Sequence, residues 1–284
     1  MFDSNNSSGG RSLFRDEESL LTNPITWAVV GIILVGAGAA YYYTHKSSKK
    51  EVAPPVVQQP APPPVAAAEP AIKNPIPAPP PEAEQDTEPL PTLNDSDPAV
   101  NARVESLLGK VQAAEFLVPE SLIRHVVVTV DNLPRKKVPV ERRPIKATPG
   151  QAAVTSAGES TTLSDGNYAR YAPFIKLVQN ADTTKLAETY FHFYPLFQQA
   201  YEDLGYPNAY FNDRVIEVID HLLAAPDVRG PIALTQPKVF YEYADPKLES
   251  RSEGQKLLIR MGPQNEAALK KKLRDLREKI VGRA

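Results

Sequence analysis

One uncharged apolar run near the start of the chain constrains its architecture more than any other feature. Residues 25–43 read ITWAVVGIILVGAGAAYYY and carry no charge in 19 positions. As an α-helix this run would be ~28 Å long, close to the ~30 Å hydrocarbon thickness of a bilayer. Aromatic side chains stand near both ends, where the membrane interface favours them. The sequence therefore predicts one transmembrane helix, in contact with the lipid bilayer from Ile25 to Tyr43.

Two other interpretations of this run stay open. A buried core helix would need apolar sequence around it, but both flanks are polar. A cleaved signal peptide is the second interpretation, because Ala37-Gly38-Ala39 resembles a small-residue cleavage site. The 24-residue leader contains acidic side chains, unlike the short basic start of a signal peptide.

A proline-rich acidic segment follows the apolar run. Residues 51–97 hold 14 of the 29 prolines, and eight acidic residues against one lysine. Proline favours extended polyproline II and like charges repel, so this composition is typical of a spacer. A PxxP ligand for an aromatic groove is an alternative use of the same segment. The predicted organisation is a polar leader (1–24), the membrane helix, a linker (44–97) and a folded domain (98–284).

Helical spacing dominates the remaining 187 residues, which suffice for one ordinary domain. Its last segment, for example, repeats apolar residues at intervals of four, three and four between Leu269 and Ile280. The β-branched run at 125–130 fits a helix or a strand, and Lys238 to Tyr243 is the best strand candidate. The predicted fold is mainly α, with six or seven helices and at most a small β-hairpin.

Composition argues against several kinds of chemistry. The chain has no cysteine, which excludes disulfides, thiolate catalysis and cysteine-ligated metals. Its four histidines include no pair at i, i+4, and no glycine-rich phosphate loop or GxSxG motif is present. Residues 98–284 carry a net charge of +4, too small to indicate nucleic acid. We therefore expect no cofactor and no metal, and we assign no catalytic residue.

Six polar and aromatic residues form the candidate partner or ligand surface. Arginine and tyrosine often anchor partner surfaces, or stack on sugars and peptides. The same side chains can instead hold helices and loops together inside a domain, and we expect that role for most of them. The six residues, which are predicted to cluster, are Arg170, Tyr171, Tyr201, Arg214, Gln255 and Arg260.

Six short segments carry a resemblance to a known family. They are VDNLP (130–134), NYARY (167–171), YPLFQQAYEDLGYP (194–207), FNDRVIEVIDHLLAAP (211–226), YADPKLE (243–249) and GQKLLIRMGPQN (254–265). These segments closely resemble the bacterial family called domain of unknown function 3014, over roughly residues 90–282. The resemblance implies a single-pass envelope protein with a proline-rich linker. It implies no activity, so no catalytic residue is carried over from it.

Two features of the chain favour opposite orientations of the membrane helix. Three lysines follow the apolar run and two arginines precede it, which favours a cytoplasmic domain by one charge. A long domain can cross the membrane regardless of this bias, and the family resemblance favours the outer side. We therefore expect a bacterial inner-membrane protein whose soluble domain is periplasmic.

The expected function is a non-catalytic interaction or scaffold domain on a long tether, with an envelope protein or the cell wall as partner. The alternative is an enzyme that binds or hydrolyses cell-wall polymer, with acids such as Asp165 or Asp245 near the tyrosines and arginines. Two carboxylates ~5–9.5 Å apart in one open cleft would favour the enzyme. A contiguous exposed apolar patch would favour the scaffold.

Overall fold

The computed structural model of the chain describes residues 71–77 and 89–281. The predicted membrane segment, Ile25 to Tyr43, lies outside these ranges, as does much of the predicted linker. Among the described residues, no helix combines the length and the apolar character that a membrane crossing requires.

The described chain is mainly helical, as predicted, with one small sheet. Its helices are α1 (Asp97–Leu108), α2 (Lys110–Phe116), α3 (Leu122–Asn132), α4 (Asp165–Ala169), α5 (Ala172–Asn180), α6 (Thr183–His192), α7 (Tyr194–Asp203), α8 (Phe211–Leu223), α9 (Pro246–Glu249), α10 (Glu253–Met261) and α11 (Pro263–Ile280). Its strands are β1 (Val154–Ala157), β2 (Ser160–Leu163), β3 (Ala233–Thr235) and β4 (Glu242–Tyr243). The prediction of six or seven helices gave too few helices, and the prediction of at most a hairpin gave too little sheet.

Glycine and proline account for several of the helix boundaries. Gly109, with φ of 89°, separates α1 from α2. Gly262, with φ of 85°, separates α10 from α11, which begins at Pro263. Pro195 stands in the first turn of α7, so that helix cannot continue from α6 without a break. Single glycine or proline residues thus divide neighbouring helices.

The sheet is antiparallel, with its strands in the order β1-β2-β3-β4. The pair β1–β2 is a local hairpin, whereas β2 pairs with β3 from far along the chain, for example through Thr161 and Leu234. The β3–β4 pairing closes at Thr235 and Glu242, so the residues between them form a turn. The predicted strand from Lys238 to Tyr243 is therefore wrong except at its last two residues.

The largest apolar core lies where α3, α7 and the start of α8 meet. Val127 and Phe211 are completely buried there, and Ile123 is nearly so. The last helix closes the domain by packing against α5, α6, α8 and α10. Its Ile280 is 1% exposed and belongs, with Ile216, to a second core cluster.

A buried lysine fastens the last helix to the loop after α8. Lys270 is 4% exposed, and its Nζ donates to the carbonyl of Ala225 and to Asp227, each at 2.6 Å. The same Nζ lies 2.8 Å from Oε1 of the buried Glu266. Burial lowers the pKa of Lys270, but the two carboxylates outweigh that effect and raise it. This lysine therefore stays charged, and removal of its partners would leave a buried charge uncompensated.

Two parts of the predicted linker belong to the folded domain. Leu90 and Leu93 pack into the largest core cluster, so the domain begins before the predicted boundary at residue 98. Residues 71–77 lie against the start of α8, where backbone N–H groups of Lys73 and Asn74 donate to the Asp213 carboxylate. The predicted spacer over 44–97 is thus not a plain spacer throughout.

Candidate functional site

A buried carboxylate in the last turn of α3 connects three parts of the domain. Nη2 of Arg135 donates to Oδ2 of Asp131 at 2.6 Å, and the Tyr206 hydroxyl donates to the same oxygen at 3.3 Å. Nε of Arg214, on α8, donates to Oδ1 at 3.2 Å, and its Nη2 donates to the Asp131 carbonyl at 2.8 Å. A buried carboxylate is costly unless it is paired, and here every pairing group also fixes the position of its own segment.

Two of the predicted site residues, Tyr201 and Arg214, belong to this Asp131 network. Tyr201 is 4% exposed, and its ring stacks on that of Tyr206 with centroids 4.6 Å apart. Burial, together with the nearby Asp131 carboxylate, raises the pKa of Tyr201 to about 12. Arg214 bonds further to Glu217 on its own helix. Both side chains contact other parts of the domain and present little surface to a partner.

Three more predicted residues lie at the junction of α4, α5 and α10. Arg170 donates to Asn167 at 2.8 Å and to the Gly150 carbonyl at 2.6 Å, so it ties the preceding loop to α4. Tyr171 is buried in an apolar cluster with Met261. Arg260 lies 3.6 Å from Glu253, and its carbonyl accepts from the Asn167 amide. These contacts also lie within the domain.

Gln255 lies at a third place, the start of α10. It is 4% exposed, and its Nε2 donates to the carbonyl of His221 at 2.9 Å. Its backbone N–H donates to Oγ of Ser252 at 3.2 Å, which caps the helix. The six predicted residues therefore form three groups, and Tyr171, Tyr201 and Gln255 are buried.

An open groove of about 420 Å³ lies beside Gln255 and contains residues that the sequence did not single out. Its lining consists of Pro134, Lys136, His221, Lys247, Ser250, Arg251, Ser252 and Gln255. Three of these side chains are cationic and none is acidic. Within the described ranges, none of the three cations lies within 4.0 Å of a carboxylate oxygen. We call this lining the cationic groove.

Backbone contacts bring the two walls of the cationic groove together. The N–H of Glu253 donates to the Arg135 carbonyl at 2.8 Å, and the N–H of Gly254 donates to the Leu133 carbonyl at 2.9 Å. A Cβ at position 254 would lie 2.7 Å from Cδ2 of Leu222 and 2.9 Å from the Leu133 carbonyl oxygen. Glycine at 254 therefore permits the close approach of α10 to α3 and α8.

A histidine and a serine face each other in the cationic groove. Nε2 of His221 lies 2.8 Å from Oγ of Ser252. Burial lowers the pKa of His221, which makes the neutral imidazole its main form near neutral pH. A hydrolase would need an acid to orient the histidine, and among the described residues no carboxylate bonds to its Nδ1. Since Oγ of Ser252 also accepts the N–H of Gln255, the serine is best described as a helix cap.

The acids named for an enzymatic alternative lie elsewhere. Neither Asp165 nor Asp245 lines the cationic groove. Asp245 caps α9 by accepting the N–H of Lys247 at 2.8 Å. In the part of the chain that the structure describes, no group of three or more histidine, aspartate or glutamate residues is placed to hold a metal ion.

Five of the six segments that carry the family resemblance contribute residues to the Asp131 network or to the cationic groove. VDNLP supplies Asp131 and Leu133, and the segment that starts at Gly254 supplies Gln255. A family model described as Protein of unknown function (DUF3014) matches residues 122–277, which is more than half of the chain. No curated protein and no solved structure matches the chain.

Proposed function

The chain belongs to the DUF3014 family, and from this membership we propose that it is a single-pass bacterial membrane protein with a non-catalytic interaction domain. The uncharged run at 25–43 supports the anchor, because it has the length and composition of a membrane helix. The folded domain then follows a proline-rich tether, on the periplasmic side of the inner membrane.

The cationic groove is the observation that carries the proposed binding role. Lys136, Lys247 and Arg251 gather round an open concavity without a carboxylate to neutralise them. An anionic group that enters it would gain charge-assisted hydrogen bonds, which are stronger than those between neutral groups. Clustered charges of one sign also accelerate encounter with an oppositely charged partner. The partner is accordingly an acidic segment of an envelope protein or an anionic cell-wall polymer.

An exposed apolar turn supports the same kind of role. Val239 and Phe240, between β3 and β4, are 77% and 81% exposed. Two adjacent large apolar side chains at such exposure favour contact with another molecule. This turn is the feature expected of a scaffold.

The lining of the cationic groove does not fit the glycosidase alternative. Its lining contains no carboxylate, and Ser252 is committed to capping α10. Glycoside hydrolysis needs two carboxylates on either side of the bond, and this groove offers none.

Binding of a labelled glutamate-rich peptide tests the proposed role of the groove. The full chain in detergent should bind the peptide, and the double variant Lys247→Glu/Arg251→Glu should lose most of that binding. The matched control is Lys176→Glu/Lys185→Glu, which reverses two exposed lysines on α5 and α6. Binding should also weaken as salt rises, because the groove is open to solvent. Equal binding by both double variants would contradict the proposal.

Fractionation tests the anchor separately. The full chain should remain in the membrane pellet after alkaline carbonate extraction, because an inserted helix is held by its apolar surface. Release by carbonate would refute the anchor. A shortened mature form beginning near Ala40 would support the signal-peptide interpretation instead.

A further inference from the structure

The start of α8 holds residues 71–77 through a set of directional contacts. The Asp213 carboxylate accepts the backbone N–H of Lys73 at 3.0 Å and that of Asn74 at 2.7 Å. It also accepts Nδ2 of Asn74 at 2.9 Å. Three donors from two successive residues therefore converge on one carboxylate, which fixes the position of the segment along α8.

The segment both accepts and donates hydrogen bonds. Nδ2 of Asn212 donates to the Asn74 carbonyl at 2.9 Å, and the Tyr210 hydroxyl accepts the N–H of Ile76 at 3.1 Å. Pro75, between them, has no N–H to satisfy. The Ile76 side chain packs against the largest core cluster. The asparagine is thus hydrogen-bonded, the proline leaves no N–H without a partner, and the isoleucine side chain packs on the apolar core.

The receiving residues are held in place by the domain itself. Asn212 is completely buried, donates to the Ile280 carbonyl at 3.0 Å and accepts the Tyr190 hydroxyl at 3.1 Å. The N–H of Phe211 donates to Gln198 at 2.8 Å, and the N–H of Asn212 donates to the Tyr194 hydroxyl at 3.2 Å. The first helical N–H groups are therefore already bonded, and the segment is bound by side chains.

We propose that Tyr210, Asn212 and Asp213 form a peptide-binding site whose occupant is the chain's own Lys-Asn-Pro-Ile segment. We call this contact the tether clasp. It takes a short peptide with an asparagine followed by a proline and an aliphatic residue. The clasp divides the predicted linker and joins residues 71–77 to the domain.

The clasp limits how far the domain can stand from its anchor; this consequence rests on the proposed membrane attachment. With the clasp closed, residues 44–72 separate the proposed anchor from the first contact with the domain; with it open, residues 44–88 do. At ~3.1 Å per residue of polyproline II, the greatest reach falls from ~140 Å to ~90 Å. The closed clasp thus lowers the upper limit that chain length sets on the separation of anchor and domain.

Hydrogen exchange in the full chain, in detergent, tests the clasp. Fragments that cover residues 71–77 should be protected in the wild type, because their amides donate to Asp213 and Tyr210. Asp213→Ala should accelerate their exchange about tenfold, which corresponds to ~1.4 kcal/mol of lost local stability. Glu188→Ala, an exposed acid on α6, is the matched control and should leave their exchange unchanged. Fragments from α3 report whether the domain stays folded in each variant.

Asn74→Ala keeps the test decisive if Asp213→Ala disturbs α8. It removes a side chain on the bound segment and leaves the receiving residues in place, so it should also release the segment. Unprotected amides at 71–77 in the wild type, or protection that survives both substitutions, would overturn the clasp. Protection that rises with protein concentration would also overturn it, because the occupant would then come from a second copy. None of these readouts depends on carbonate extraction, so the anchor and the clasp fail independently.

Discussion

Nε of Arg214 on α8 lies 3.2 Å from Oδ1 of Asp131 on α3. The Asp131 side chain is 5% exposed and that of Arg214 is 16% exposed, so water competes little for either charge. A second hydrogen bond between the same two residues runs from Nη2 of Arg214 to the Asp131 carbonyl at 2.8 Å. The two helices of the largest core are thereby held by a polar contact at their edge.

Arg214→Ala should destabilise the domain by about 1–3 kcal/mol, because it leaves a buried carboxylate with fewer donors. Chemical unfolding of the full chain measures this cost. The control is Arg124→Ala, which breaks a 2.9 Å pair with Asp203 whose side chains are 38% and 46% exposed. Exposed pairs contribute only about 0–1 kcal/mol. Equal costs for the two variants would show that the Asp131 network does not stabilise the fold.

The mainly helical fold could be predicted from the sequence because its signals are local. The stripe from Leu269 to Ile280 and the break at Pro195 involve neighbours along one helix. The sheet could not be predicted in the same way, because β2 pairs with a strand some 70 residues away and each strand is short. A two- or three-residue strand carries no readable alternation of apolar and polar residues.

The candidate site could be predicted only in part. The arginine and tyrosine segments are visible in the sequence, and the structure places most of these side chains in contacts within the domain. Asp131, the partner of Arg214, lies 83 positions away in the sequence, and no spacing rule connects them. The cationic groove likewise brings together Lys136 and Arg251, which are far apart in the sequence. Such pairings arise from helix packing, which local patterns along the sequence do not reveal.

Gly254→Ala should destabilise the domain by about 1–3 kcal/mol, because the new methyl group would overlap Leu222 and the Leu133 carbonyl oxygen. Gly166→Ala is the matched control, also on a helix, where the nearest atom to the added Cβ is Oγ of Ser164 at 3.5 Å. That change should be neutral or stabilising by about 0.5–1 kcal/mol, since alanine favours helix more than glycine. Thermal unfolding compares the two variants. A harmless Gly254→Ala would contradict the close approach of α10.

The stability of the domain should depend on His221 below neutral pH. Burial lowers the folded-state pKa of His221 from its ordinary value of 6.5. The negative charge of Glu217 opposes this lowering, and the positive charges of Arg214 and Arg251 add to it. Between the unfolded and folded pKa values the unfolded chain binds more protons, so stability falls as pH drops below 6.5. His221→Gln removes this linkage and should reduce the loss of unfolding free energy between about pH 7 and pH 5. Chemical unfolding at both pH values measures it, and an unchanged loss would contradict the assignment.

Site-specific photocrosslinking in living cells tests the central claim, that the cationic groove contacts an anionic envelope partner, most directly. A photoreactive residue replaces Ser250 at the edge of the groove, or Lys176 on the exposed face of α5 as the control. The account predicts a discrete, membrane-associated adduct from position 250 alone, which Lys247→Glu/Arg251→Glu abolishes. Adducts of equal yield from both positions, or an adduct at position 250 that survives the charge reversal, would contradict it.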